Sequence, residues 1–183
     1  MLRNDKKIKQ LKNISLSDRD VLKIVNGKAN FVSYDQLKNV RNIDEILAPY
    51  GSCIILYLTK PNYGHFVALN LVGPDYDILE HFDSYGYVPD DELTDFEIDP
   101  RMREQLGEDY PYLLQLMYDS PYDLSFNEHK LQARKNDVKT CGRWASMRTL
   151  LKHLPLEEFV DIFKNNKLGT PDDIVTKFTE DIE

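Results

Sequence analysis

Residues 52–86 read SCIILYLTKPNYGHFVALNLVGPDYDILEHFDSYG, and this stretch decides the fold. It holds three apolar runs, from Ser52 to Leu58, Phe66 to Val72 and Tyr76 to Phe82. Pro61-Asn62-Tyr63-Gly64 separates the first two runs, and Gly73-Pro74-Asp75 the last two. Clusters of Pro, Gly, Asn and Asp are turn chemistry. Short apolar runs between turns are strands, and near-continuous apolarity means that both faces are covered. The stretch therefore predicts a buried antiparallel meander.

Working upstream, Ser17 with Asp20 forms a capping box ahead of Val21, Leu22, Ile24 and Val25, which predicts a helix ending near Asn26-Gly27. Further short helices are expected over Ser33 to Val40 and Asp44 to Leu47. Downstream of Gly86 the chain is acidic and contains proline, with helical pattern at Asp91 to Leu93 and Tyr110 to Tyr118. Asn127 to Ala133 predicts one more strand. From Cys141 to Leu151 the apolar spacing is helical, with Trp144, Met147, Leu150 and Leu151 on one face, and Pro155 and Pro171 open two final helices. The expected class is α+β, a central, mainly antiparallel sheet flanked by helices. Without repeats or linkers, the chain divides into a basic N-terminal tail, 1–14, and a single domain, 15–183.

With 183 residues, 42% hydrophobic and 11% aromatic, the chain can build a real core. No apolar run approaches the roughly 18–20 residues of a membrane span, and no apolar segment follows the basic start as in a secretory signal. Cytoplasm, nucleus or a virus particle is the expected setting. A net charge of −8 argues against a general nucleic-acid binder. Arg3, Lys6, Lys7, Lys9 and Lys12 are nevertheless clustered, and Asp90 to Asp99 is strongly acidic. Both runs read first as solvated surface, and the basic one as a weak nucleic-acid contact at most. Two cysteines, Cys53 and Cys141, make neither a disulfide framework nor a zinc site.

Three segments carry chemistry: Gly64-His65-Phe66, Phe82-Asp83-Ser84-Tyr85-Gly86 and Thr140-Cys141-Gly142-Arg143-Trp144. If the strands holding His65 and Asp83 are hairpin neighbours, the two side chains become cross-strand partners. A carboxylate there fixes the imidazole tautomer and stabilises its protonated form. Cys141 opens a helix, where unpaired N–H groups and the helix dipole favour a thiolate. Gly142 would let substrate approach the backbone. Cys53, inside an apolar strand, reads as core. His81 shares strand parity with Asp83 and is a rival base, His129 and His153 read as surface or partly buried residues, and Trp144 reads as core.

These motifs resemble the adenovirus-type (adenain-like) cysteine proteases, above all those of giant viruses, mavirus-like virophages and Polinton-type elements, and more distantly the SUMO-specific proteases. The likeness rests on Gly64-His65-Phe66-Val67-Ala68-Leu69, Phe82-Asp83-Ser84-Tyr85-Gly86 and Thr140-Cys141-Gly142-Arg143, in that order, and covers roughly residues 15 to 155. Asp83 follows His65 by 18 residues (83 − 65). Phe66 stands where many relatives carry Trp. The resemblance implies a papain-like, adenain-like fold, with Cys141 as nucleophile, His65 as base, Asp83 as its orienting acid and Gln132 as oxyanion donor. Gln132 precedes Cys141 by 9 residues (141 − 132), a longer gap than those families show, which a loop must absorb.

The implied function is a cysteine endopeptidase that cleaves viral capsid precursors near Gly or other small residues during particle maturation. It would need no metal or organic cofactor, act in the virion or host cytoplasm, and be a monomer. Two alternatives stay open: a deconjugase for a ubiquitin-like modifier, with the acidic stretch as docking surface, and a non-catalytic capsid-associated protein that keeps the fold.

Overall fold

The computed structural model describes residues 2–61, 63–95 and 99–180. Asn62 of the predicted turn, residues 96–98 of the acidic stretch and the side chain of Arg3 lie outside the described residues. The described sheet has five strands in the order β1 (Asn30–Ser33), β2 (Ser52–Lys60), β3 (Tyr63–Val72), β4 (Ile78–Phe82) and β5 (Asp123–Phe126). The meander β2–β3–β4 is antiparallel, as its turns dictate.

The two edges correct the expectation of a mainly antiparallel sheet. β1 lies parallel to β2 and β5 parallel to β4, so the sheet is mixed. The cause is connection length. Between β1 and β2 the chain runs through a 3-10 turn at Tyr34–Asn39 and a short helix, Asp44–Leu47. A crossover of that kind returns the chain in the same direction. The strand expected at Asn127 to Ala133 is also displaced, to Asp123–Phe126. Asn127 ends it: its side-chain amide donates to the carbonyls of Asp83 and His129, and its side-chain oxygen accepts the His129 N–H.

The helices are α1 (Leu2–Lys12), α2 (Asp18–Val25), α3 (Asp44–Leu47), α4 (Glu92–Asp95), α5 (Pro100–Leu106), α6 (Tyr112–Tyr118), α7 (Cys141–Leu150), α8 (Leu156–Lys164) and α9 (Pro171–Thr179). The capping box at Ser17 and Asp20 is formed as the sequence predicts. Alternate strand residues face opposite layers. Ile54, Leu56, Phe66 and Ala68 pack with Val21, Trp144, Phe159 and Ile174 of α2, α7, α8 and α9. Cys53, Ile55, Val67 and Leu69 pack with Leu37, Ile46 and Leu113 on the other side. A buried ion pair fastens α7 to the sheet: Arg148 meets Glu80 of β4 through two hydrogen bonds, at 2.6 and 2.8 Å. Among the described residues no helix is long and apolar enough to cross a membrane.

Lys6, Lys7 and Lys9 of the basic run and Asp91 and Asp99 of the acidic run are exposed, as a solvated surface requires, but other members of both runs turn inward. The basic stretch is not a tail but the helix α1, which buries Ile8. Lys12 reaches Asp173 of α9 at 2.7 Å, Lys7 reaches Glu180 at 3.1 Å, and the Lys12 carbonyl accepts the Lys139 N–H. In the acidic stretch, Asp90 and Glu92 turn inward and are only 7% and 1% exposed. Asp90 accepts the Tyr34 and Tyr57 hydroxyls, each at 2.8 Å, and the Leu114 N–H. A buried carboxylate is tolerable only with such partners.

Candidate active site

β3 starts where glycine permits it. A Cβ on Gly64 would stand 1.6 Å from the Tyr57 carbonyl oxygen, so no other residue fits there. That approach sets His65 opposite Tyr57 at the end of the sheet.

Asp83 is not the direct cross-strand partner of His65. Continuing the register in which Ala68 pairs with Phe82 puts Asp83 opposite Val67, and Tyr85 opposite His65. β4 ends at Phe82, however, and Asp83 reaches diagonally along the same face to the His65 Nε2. Diagonal neighbours are within range of such side chains. Tyr85 takes the facing place instead and stacks on the imidazole, with ring centres 4.8 Å apart and planes 14° from parallel. His65 and Asp83 are both buried.

The Asp83 bond leaves Nδ1 as the ring nitrogen open to Cys141, whose thiol hydrogen-bonds the imidazole. Cys141 begins α7, and its N-cap Thr140 makes no side-chain cap bond. The Thr140 hydroxyl donates to Asp172 instead, which leaves first-turn N–H groups facing the sulfur. Burial pushes the Cys141 thiol up, but the hydrogen bond and charge of His65, with the N–H groups of Phe66 and Gly142, outweigh it and hold the thiol below its ordinary value. Burial pulls His65 down, and the Asp83 charge and hydrogen bond more than reverse that, holding the imidazole protonated well above its usual range. Asp83 is itself kept ionised: burial opposes the charge, and His65 overcomes it. The favoured state is a thiolate–imidazolium pair backed by a carboxylate.

Gly142 serves packing rather than substrate access. A Cβ there would lie 3.1 Å from Val21, 3.2 Å from Phe66 and 3.4 Å from Leu16, so the glycine lets α2 and β3 close on α7.

Gln132 does come to the site. Its Oε1 accepts the Ser84 hydroxyl at 2.8 Å, while Nε2 donates to the Tyr85 hydroxyl at 3.1 Å and to the Val138 carbonyl at 3.4 Å. The long gap to Cys141 is absorbed by a loop that Asp172 ties at both ends. Its carboxylate accepts the Ala133 N–H at 2.9 Å, the Thr140 hydroxyl at 2.6 Å and the Trp144 indole N–H at 3.0 Å. The spacing of Gln132 and Cys141 could not announce this clamp, because Asp172 reads simply as a first-turn helix acid. Ser84 and Tyr85 lay inside a quoted motif, but only their side-chain bonds reveal their work.

The remaining candidates fall away on geometry. His81 is fully buried between the charges of Asp83 and His65; burial lowers it to about 4, so it stays neutral. His153 is exposed, and His129 pairs with Glu157 on the surface. Cys53 is fully buried in β2, and burial pushes its thiol up to about 12. Trp144 is core, packed against Phe163 at 4.6 Å. His65, Asp83 and Glu92 bring imidazole and carboxylate atoms within 4.8 Å of one another. His65 and Asp83 already hydrogen-bond each other, which argues against a cation cage.

Cys141 and His65 open onto a groove of about 770 Å³. Leu16, Phe31, Leu56, Leu58 and Leu106 line its apolar part, and Gln132 and Tyr85 also line the groove. Such a cleft, apolar with a few convergent polar groups, has the make-up of a ligand site.

No family model matches the chain. Over 177 residues it is 40% identical to the uncharacterized protein V9 of Sputnik virophage, covering 95% of this chain and 99% of that protein. Among solved structures it is similar to the central domain of the uncharacterized Lpg1148 protein from Legionella pneumophila, at 16% identity and a TM-score of 0.40, over 91% of this chain and 94% of that one. It is also similar to ChlaDub1 from Chlamydia trachomatis, at 14% identity and a TM-score of 0.38, over 98% of this chain and 76% of that one.

Proposed function

On the premise that this chain belongs to the family of the Sputnik virophage protein V9, we propose that it is an adenain-like cysteine endopeptidase that processes viral structural precursors near small residues. The observation that carries this is the Cys141 thiol bonded to an imidazole whose Nε2 is held by a buried carboxylate, at the mouth of a groove. A core cysteine needs none of this apparatus.

The reaction follows from the groups. The Cys141 thiolate adds to the scissile carbonyl, and the oxyanion is met by the Cys141 N–H and the Gln132 amide. His65, already protonated, gives its Nδ1 proton to the leaving amine as the C–N bond breaks, leaving a thioester on Cys141. His65 then takes a proton from water, which attacks the thioester and frees the acid. Asp83 keeps the ring oriented throughout.

The virophage relationship and the motif likeness support viral structural proteins as substrates. The deconjugase alternative drew on the acidic stretch as a docking surface. Burial of Asp90 and Glu92 removes two of its charges from any such surface. Co-expression with candidate capsid precursors and with a modifier conjugate, followed by mass spectrometry of the fragments, decides between them. New termini beside Gly or Ala in the precursors are expected. Cleavage of the conjugate alone would overturn the endopeptidase assignment, and so would a preference for Arg, Lys or large aromatics at the cut.

Selective alkylation is a second expected result. At neutral pH iodoacetamide should modify Cys141 far faster than Cys53, because only Cys141 combines access with a lowered thiol. The sign of the pH dependence follows from the two shifts. Reactivity appears as pH rises through the lowered thiol value, and the ion pair is lost only as pH passes the raised imidazole value. Equal rates at the two cysteines would remove the basis for a nucleophile at Cys141.

A further inference from the structure

Glu92 opens α4 and is only 1% exposed. Among the described residues neither of its carboxyl oxygens has a hydrogen-bond partner at full bonding geometry. Yet its carboxyl comes within 4.8 Å of both the Asp83 carboxylate and the His65 ring. An ionised carboxylate buried without donors costs several kcal/mol, so such a group keeps its proton instead. Two carboxyls this close in a dry interior cannot both ionise. Asp83 is the ionised one, since it holds His65 and accepts the Tyr85 N–H.

Around Glu92, the Asp83 carboxylate and the His65 ring come within 4.8 Å of its carboxyl. Tyr57 of β2 gives its hydroxyl to Asp90, and Asp90 already accepts from Tyr34, Tyr57 and Leu114. His81 of β4 is buried with both ring nitrogens unpartnered among the described residues, and its charge interactions run to Asp83 and His65. His65 offers Nε2 to Asp83, and Cys141 lies beyond it. Between the His65 ring and the Asp83 carboxylate, the ring has its Nε2 taken by Asp83, so the Asp83 carboxylate is the acceptor at hand for Glu92.

We infer that Glu92 is a positioning residue of this site: as the neutral acid it hydrogen-bonds the Asp83 carboxylate, spreads its charge, and so sets how firmly Asp83 holds the His65 proton. This rests on the thiol-protease reading of Cys141 and His65. An Asp83 carboxylate without this donor would bind the imidazolium too well and slow proton release to the leaving amine.

The test is the pH dependence of Cys141 alkylation by iodoacetamide in the full chain, with the modified site identified by mass spectrometry. In wild type two steps are expected, the lower from thiolate formation and the upper from loss of the imidazolium. E92Q keeps a neutral donor and should leave both steps in place. E92L, shown to be folded by circular dichroism and melting, should move the upper step upward by about half to one pH unit. An upper step unmoved in folded E92L overturns the role of Glu92, and so do equal shifts in E92Q and E92L. Should leucine not fold, infrared spectra decide: wild type carries a protonated-carboxyl band at neutral pH that E92Q lacks, and its absence from wild type overturns the inference. A single step at the ordinary thiol value in wild type overturns the ion pair, and with it the proposed function, a failure distinct from the others.

Discussion

Replacing Cys141 by alanine should take cleavage of a peptide substrate to background, a loss on the order of 10⁴-fold or more, while the protein melts close to wild type. The two expectations rest on different facts. Without the sulfur there is no thioester, and the residual site can only bind and polarise the carbonyl. The fold loses little, because Cys141 is half-buried and sits at the edge of its core layer. His65→Ala should come close to the same loss, since it removes both the proton donor and the charge that lowers the thiol. Asp83→Ala should cost less, because α7 and the imidazolium still favour the thiolate. That variant must first be shown to fold, since Asp83 also accepts the Tyr85 N–H in the turn after β4. Measurable turnover in folded Cys141→Ala, assayed beside wild type, would sink the nucleophile assignment.

How far the sequence reached depends on whether a feature is local. The meander was legible because apolar runs and turn residues alternate along one stretch, and the helix start at Ser17 because its cap closes within one turn. His65 and Asp83 were legible as a pair, but not as a diagonal one, since sequence does not reveal that β4 stops at Phe82. β1 was missed because four half-buried residues carry no alternation, and its parallel pairing is set by the route of the crossover. The charged runs were read correctly where they are exposed and misled where they turn inward, for a related reason. Composition reports the average habit of Lys, Asp and Glu, which is to face water. Whether Lys12 finds Asp173, Asp90 finds two tyrosines, or Glu92 finds Asp83 depends on partners between 9 and 161 residues away. At Glu92 the rule breaks beside the reacting groups, where a local rule is most often given up for chemistry.

Gln132→Ala should lower kcat by about 10²–10³-fold and leave KM nearly unchanged. The ground-state contacts explain how one amide can serve both structure and catalysis. Ser84 holds the Gln132 oxygen and Tyr85 takes one amide hydrogen, so the side chain is fixed in place in the groove wall. The remaining bond, to the Val138 carbonyl, is long at 3.4 Å and correspondingly weak. An oxygen gaining negative charge during attack is a far better acceptor than that carbonyl, so the hydrogen bond switches to it at little cost. The interaction therefore grows between ground and transition state, which places the loss in kcat rather than in KM. Tyr85→Phe and Ser84→Ala should each cost less, because they loosen the donor without removing it. Gln132→Glu supplies the control. It keeps the shape of the side chain but sets a negative charge against the oxyanion, so it should be at least as damaging as alanine at neutral pH. A Gln132→Ala protein with wild-type kcat, or one whose whole loss falls in KM, would take Gln132 out of the oxyanion site and leave it as a brace for Ser84 and Tyr85.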